Sequence, residues 1–395
     1  MNYMRCARCA IGILCICSAF TNALANSFIP KSGDQVLETL PSRNDPIQQE
    51  LLQLRNALAA NPNDLRMAVA LAQRYVEIWR DGADPRYLSY AQAALGPWWK
   101  LTNPPLAARV MRATLLQSLH HFSEALTDLN AVVKNDPDNA QAWLTRATIL
   151  QVLGDYPQAI SSCTKLSRLA PPLITQTCLS SASSLNGEAE SSYQKLSKML
   201  RNSPETSVDI RLWVLTLLAE IAQRRGDQQG ARANFEQAMA LGIRDTYLLA
   251  AYADFLLEQH NPKKVVMLLK DKTKVDVLLL RYALALKALN RAEAPKYSAM
   301  LGQRFEAARL RGDTVHLREL ARYKLELDDD PKTALRVALQ NWQIQKEPAD
   351  TRVLLQAALA AHDPVAVKQV LEWLKNNGQE DRSLVQLVAA LKTTR

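Results

Sequence analysis

Apolar residues in this chain recur at helical spacing, in segments of roughly a dozen positions broken by Pro, Gly, Asn and Asp. Residues 48–60 carry Leu51, Leu52, Leu54 and Leu58 and end in the turn Asn61-Pro62-Asn63-Asp64. Residues 65–79, with Leu71, Ala72 and Tyr75, pair across Arg80-Asp81-Gly82-Ala83-Asp84-Pro85 with 86–95. Farther on, 277–289 pairs with 295–311, 316–327 with 331–345, and 351–361 with 364–376, and 382–392 closes the series. The junctions Asp328-Asp329-Asp330-Pro331 and His362-Asp363-Pro364 put carboxylates and proline where helix N-termini accept them. No stretch alternates with period two over a useful length, so the reading is all-α. Gly96-Pro97-Trp98-Trp99 interrupts the rhythm as an insertion. Its tandem tryptophans either plug the gap of an irregular unit or stand out as an anchor for a partner.

Between these segments the pattern repeats every 34 residues. Trp143, Ala147, Leu150, Gly154, Tyr156, Ala159, Leu166 and Pro171 have counterparts 34 positions earlier in Arg109, Ala113, Leu116, His120, Phe122, Ala125, Val132 and Pro137. Phase resets later, and 212–245 carries Leu215, Leu218, Ala219, Ala222, Gly226-Asp227, Ala231, Phe235 and Ala238. The next unit has Tyr252, Ala253, Leu256, His260-Asn261-Pro262 and Leu269. A weaker unit over 173–204 uses Ser180, Ser181, Asn186-Gly187 and Ser192 in the small-residue slots, which keeps the close approach but buries less apolar area.

These residues resemble the tetratricopeptide repeat (TPR) family, whose pattern runs Trp-x2-Leu-Gly-x2-Tyr, then Ala, Phe, Ala and Pro. The resemblance is strong over 106–172 and 212–270 and weak elsewhere. It implies an α-solenoid, a right-handed superhelix of TPR-like helical hairpins filling 45–395, because one hairpin cannot bury its apolar face alone. Ala147 and Ala159 are then the positions where two helix backbones meet. It also implies a groove on the inner helices, lined by Val110, Met111, Thr114, Leu144, Thr145, Thr148, Thr216, Leu217 and Glu220. Those positions lack the Lys, Asn and Arg of groups that clamp a C-terminal carboxylate, so the groove suits an apolar or amphipathic segment.

Composition adds a compartment. Arg5 and Arg8, the apolar run 10–20 and Ala23-Leu24-Ala25 read as a signal peptide over 1–25, cleaved before Asn26 and followed by a polar leader over 26–44. Neither Cys15 nor Cys17 follows a small residue as a lipobox cysteine does, so a soluble, exported, periplasmic chain is expected. Cys6, Cys9, Cys15 and Cys17 leave with the signal, and Cys163 and Cys178 remain as a candidate disulfide. In the repeat register they lie on consecutive antiparallel helices.

The formal charge of +9, less the two arginines of the signal, is +7. Twelve Lys/Arg against five Asp/Glu fall within 263–313. That segment is either a solvated face or a stripe for an anionic surface or glycan. Nucleic acid is not expected as a partner. His120, His121, His260, His316 and His362 are scattered, and no zinc-hydrolase, phosphate-loop or nucleophile-elbow motif is present. Glu258 and Glu306 read as solvated carboxylates on amphipathic helices. No cofactor, metal site or catalytic residue is expected. The function read from the sequence is a non-enzymatic protein–protein interaction scaffold or assembly factor of the bacterial cell envelope. The alternative is a cell-wall or glycan-associated protein, whether a peptidoglycan-acting enzyme or a polysaccharide-binding module. Hairpins continuing almost to Arg395 leave no space for an appended catalytic domain.

Overall fold

The computed structural model describes residues 32–34, 36, 44–82, 84–243, 245–313 and 315–393. The signal expected over 1–25 and most of the leader over 26–44 lie outside the described residues. Contacts divide the chain into two compact units, one through Glu50 and one from Leu51 onward. Within the first, Asp45 opens helix α1 (Pro46–Ala60) by accepting from the Ile47 N–H at 2.8 Å. The second unit is described by itself from here on.

It is built of helices alone among the described residues. After α1 come α2 (Leu65–Gly82), α3 (Arg86–Ala94) and the four-residue α4 (Gly96–Trp99). Next are the pairs α5 (Leu106–Ser118) with α6 (Phe122–Asn135), α7 (Ala140–Val152) with α8 (Tyr156–Lys165), and α9 (Pro172–Ser183) with α10 (Ala189–Arg201). Then α11 (Val208–Arg225) pairs with α12 (Gln228–Ala240), α13 (Thr246–Glu258) with α14 (Pro262–Leu269), and α15 (Asp276–Ala288) with α16 (Ala294–Leu310). The series ends in α17 (Leu317–Glu326), α18 (Pro331–Ile344), α19 (Pro348–Ala360), α20 (Lys368–Asn377) and α21 (Arg382–Thr393). Asn139, Asp155, Asp227, Asp245, Asn261 and Asp330 each accept a first-turn N–H from their own helix, which fixes where those helices begin. The stretch expected as one helix over 364–376 is instead a 3-10 turn, Val365–Val367, leading into α20. The insertion Gly96-Pro97-Trp98-Trp99 is α4, and both tryptophan rings are half-buried against the apolar clusters of α2, α3 and α5. They plug the irregular junction.

The repeat is visible at single residues. The turn inside successive hairpins holds one residue in the left-handed region: His120 (φ 60°), Gly154 (80°), Gly187 (83°), Gly226 (82°) and His260 (52°). A reversal between two close helices needs that conformation, and glycine adopts it without a Cβ clash. Ala113, Ala125, Ala142 and Ala159 are fully buried where the helices cross. Arg112 and Arg146, 34 positions apart, reach the outer helix of their own hairpins 16 residues on. Arg112 grips Asp128 with two bonds of 2.6 and 2.7 Å, and Arg146 donates to the Ser162 hydroxyl.

Stacking turns the unit tightly, so that α2 touches α13. The last helices come back over earlier ones. Ile344 packs on the α5–α6 cluster, the Lys346 N–H donates to the Val152 carbonyl at 2.7 Å, and α21 packs on both α19 and α11.

Candidate partner groove and the ion ladder beside it

The first helix of each hairpin supplies the inner face. Of the residues expected there, Thr148 is exposed, while Val110, Thr114, Leu144 and Glu220 are half-buried. Met111, Thr145, Thr216 and Leu217 are buried, which corrects the expectation that they stand open to a ligand. Met111 packs with Leu88, Ala91 and Leu115 between the first two hairpins, and Leu217 packs with Leu173, Leu196 and Val214 between α9 and α11. The close turn of the stack brings neighbouring hairpins across those positions. The hydroxyls are largely committed to their own helices: Thr114, Thr148 and Thr216 donate to the carbonyls four residues back, at 3.0, 3.1 and 2.8 Å. The Glu220 carboxylate accepts from the Tyr247 hydroxyl at 2.5 Å. Burial raises its pKa, and the Tyr247 bond and Arg224 oppose that rise.

From α13 onward the inner helices are joined by charge. Asp254 accepts from Arg281 at 2.7 Å and from Arg322 at 2.6 Å. Arg281 lies 3.9 Å from Glu319, which neighbours Arg318; Arg318 bonds Glu347 at 2.9 Å and Asp350 at 3.4 Å. Asp350 also accepts from Asn341 at 2.8 Å and, in a capping box, from the Glu347 N–H at 2.8 Å. This ladder crosses α13, α15, α17 and α19. Desolvation raises the Asp254 and Glu319 carboxyls, but the arginines outweigh it and hold both near 2. At Asp350 burial wins over Arg318, and with Glu347 alongside the carboxyl is lifted to about 7. Burial and the nearby Arg318 keep His120 below its ordinary value. Helix periodicity alone did not reveal the ladder. The signal lay in lone charges inside apolar runs, Asp254 in 249–257 and Arg281 in 278–286, since an unpaired charge there would be costly. Glu258, expected as solvated, accepts from Gln223 at 2.6 Å and from Arg352, whereas Glu306 pairs with Arg309 on an exposed face.

Cys163 on α8 and Cys178 on α9 are joined in a disulfide, with Cα atoms 5.5 Å apart. Several cations of the basic segment 263–313 are engaged locally: Arg281 in the ladder, Arg304 with Asp276 at 2.7 Å, Lys264 with Glu236 and Lys287 with Asp329. Among the described residues no cluster of His, Cys, Asp or Glu has the arrangement to hold a metal, and no helix is long and apolar enough to cross a membrane.

No protein-family model matches the chain, and no curated protein matches it. Among solved structures it is similar to a tetratricopeptide repeat protein from Parabacteroides merdae, at 14% identity and a TM-score of 0.48 over 61% of this chain and 92% of that one. Human IFIT1, solved as a dimer with PPP-AAAA, is similar at 18% identity and a TM-score of 0.43 over 87% of this chain and 85% of that one. Yeast Tom70 is similar at 17% identity and a TM-score of 0.35 over 82% and 62%. The likeness is one of helical-repeat architecture and extends to nothing those proteins bind. Stacked hairpins, a 34-residue spacing in the clearest units and a left-handed residue at successive turns make the second unit an α-solenoid of TPR-like helical hairpins.

Proposed function

We propose that the chain is an exported, non-enzymatic scaffold of the bacterial cell envelope that holds a protein or peptide partner. One observation carries this reading: helical hairpins occupy the second unit throughout, and the strongest charge constellation in it is a ladder of mutually paired side chains that braces the stack. Charges neutralised and hydrogen-bonded by each other hold a surface in shape. Export is supported by the signal-like 1–25 segment and by the Cys163–Cys178 disulfide, which an oxidising compartment preserves.

Two measurements on protein from its native cells test the proposal. Intact-mass analysis after alkylation without reduction is expected to find a chain beginning at Asn26 with neither Cys163 nor Cys178 labelled. Retention of Met1 to Ala25, an acyl group on Cys15 or Cys17, or two labelled thiols contradicts export to an oxidising space. Crosslinking in intact cells, followed by capture, is expected to return a discrete protein. A glycan, or wall-degrading activity in the purified chain, favours a cell-wall role instead.

A further inference from the structure

The excess of cations over 263–313 is only partly absorbed by local pairing, and the structure sets much of the rest on the second, outer helices of two consecutive hairpins. Lys263, Met267 and Lys270 follow one another at i, i+4 and i+7, one exposed stripe down α14 and its cap. Val265 and Leu269 of the same helix are buried beneath it. On α16, Lys296, Gln303 and Leu310 recur at i, i+7 and i+14 as a second exposed stripe, and Arg311 follows. Arg304 of α16 donates to the Thr273 and Lys274 carbonyls at 3.1 Å, just beyond the end of α14, so the two stripes belong to one continuous surface.

The charge on that surface is open. Lys263, Lys270, Lys274, Lys296 and Arg311 make no ion pair among the described residues. The exposed carboxylates of the segment are Asp271, Glu293 and Glu306, and Arg309 holds the last. Two apolar side chains stand among these cations, Met267 at 75% exposure and Leu310 at 61%. One exposed apolar residue is ordinary on a protein surface. Here both share a face, Met267 between Lys263 and Lys270, and Leu310 between Arg309 and Arg311.

This combination selects among anionic partners. Lysine is a compact charge on a long apolar stem, suited to a diffuse negative surface more than to one carboxylate. The rings of α16 are committed to packing and offer no face to a sugar: Phe305 is buried, and Tyr297 meets Tyr282 edge-on with centroids 5.0 Å apart. An anionic bilayer presents a plane of negative headgroups with hydrocarbon directly beneath, which matches cations surrounding protruding apolar side chains. We infer that the outer face of α14 and α16 docks peripherally on an anionic phospholipid bilayer, its lysines at the headgroups and Met267 and Leu310 inserted below them. The inner helices take no part, so the partner reading stands or falls separately.

Sedimentation of the purified full chain with lipid vesicles tests the docking. On phosphatidylcholine containing about one-third phosphatidylglycerol, the bound-to-free ratio near 0.1 M salt is expected to exceed that on phosphatidylcholine alone by at least ~10-fold, and to fall at least ~10-fold on raising salt to about 0.5 M. Lys263→Gln with Lys270→Gln is expected to weaken binding at least ~10-fold. Lys195→Gln with Lys198→Gln makes the same charge change at exposed positions on α10 and is expected to cost less than ~3-fold. Met267→Ser, which leaves the charge intact, is expected to cost at least ~3-fold. Equal binding to the two vesicle types overturns the docking, and so do equal losses from the two lysine pairs, since net charge alone would then be acting. Wild-type binding by Met267→Ser overturns insertion and turns the surface into one for a soluble polyanion. All the substituted side chains are exposed, so unchanged urea midpoints are expected throughout, and the wild-type vesicle comparison decides the matter even where a midpoint moves.

Discussion

Gly154 and Gly312 share a left-handed backbone, at φ 80° and 71°, but differ in what lies beyond their Cα atoms. An added Cβ meets Trp373 at the first and open space at the second. Alanine at Gly312 is therefore expected to cost about 1 kcal/mol from backbone strain. At Gly154 it is expected to cost at least ~1 kcal/mol more, because the Trp373 contact must also give way. Equal costs in urea denaturation would show that Trp373 does not rest there. Asp254 and Glu319 carry a second residue-level prediction. Folded, both titrate near 2, whereas their ordinary values are 3.8 and 4.5. The unfolded chain binds more protons in between, so stability rises with pH through that window. Their contribution, on the order of 2 kcal/mol each, is complete above about pH 4.5 and is lost as pH falls towards 2. Asp254→Asn is expected to be destabilising by roughly 3 kcal/mol at pH 6 and by much less near pH 2, read from denaturation midpoints. A deficit independent of pH would contradict the paired-carboxylate assignment. Turn glycines were legible in the sequence because their backbone requirement is local. The partners of Asp254 were not, since Arg322 lies 68 positions away.

At the scale of the helix, the crossing points set the register. Ala147 and Ala159 are buried at 3% and 0% exposure, while Thr148, one position from Ala147, is exposed. Leucine at either alanine is expected to destabilise the unit by roughly 1–3 kcal/mol through overpacking. Thr148→Ala is expected to change stability by less than about 0.5 kcal/mol. The reverse ranking in thermal or urea unfolding would mean that the helices face other ways. This register was legible because 3.6-residue periodicity and 34-residue spacing specify it twice, once within each helix and once between units. The helix boundaries after α16 were legible for the same reasons of turn chemistry, from Asp328-Asp329-Asp330-Pro331 for example. Where those helices travel was not. The turn after α19 leads through a 3-10 segment at Val365–Val367, and the placement of α20 depends on contacts such as Trp373 with Tyr156, more than 200 positions away. The groove residues show the same limit: periodicity puts Met111 and Leu217 on an inner helix, but which neighbour covers them depends on how tightly the stack turns.

For the whole molecule, a short superhelical turn has two consequences. Inner-face positions of the early hairpins become packing, and the late hairpins, tied by the Asp254–Arg281–Glu319 ladder, return against the tips of earlier ones. The inner surface left open is narrower than the repeat pattern suggested, with Thr148 its exposed member among the expected residues. Ser161, exposed on the outer helix α8 of the same hairpin, provides an internal control. A photoreactive side chain placed at 148 or at 161 in the full chain, irradiated in intact cells, tests the scaffold claim directly. The expected result is one discrete protein adduct from position 148 and none from 161. No adduct from either position, or the same adducts from both, would contradict a scaffold that holds its partner on the inner face of the stack.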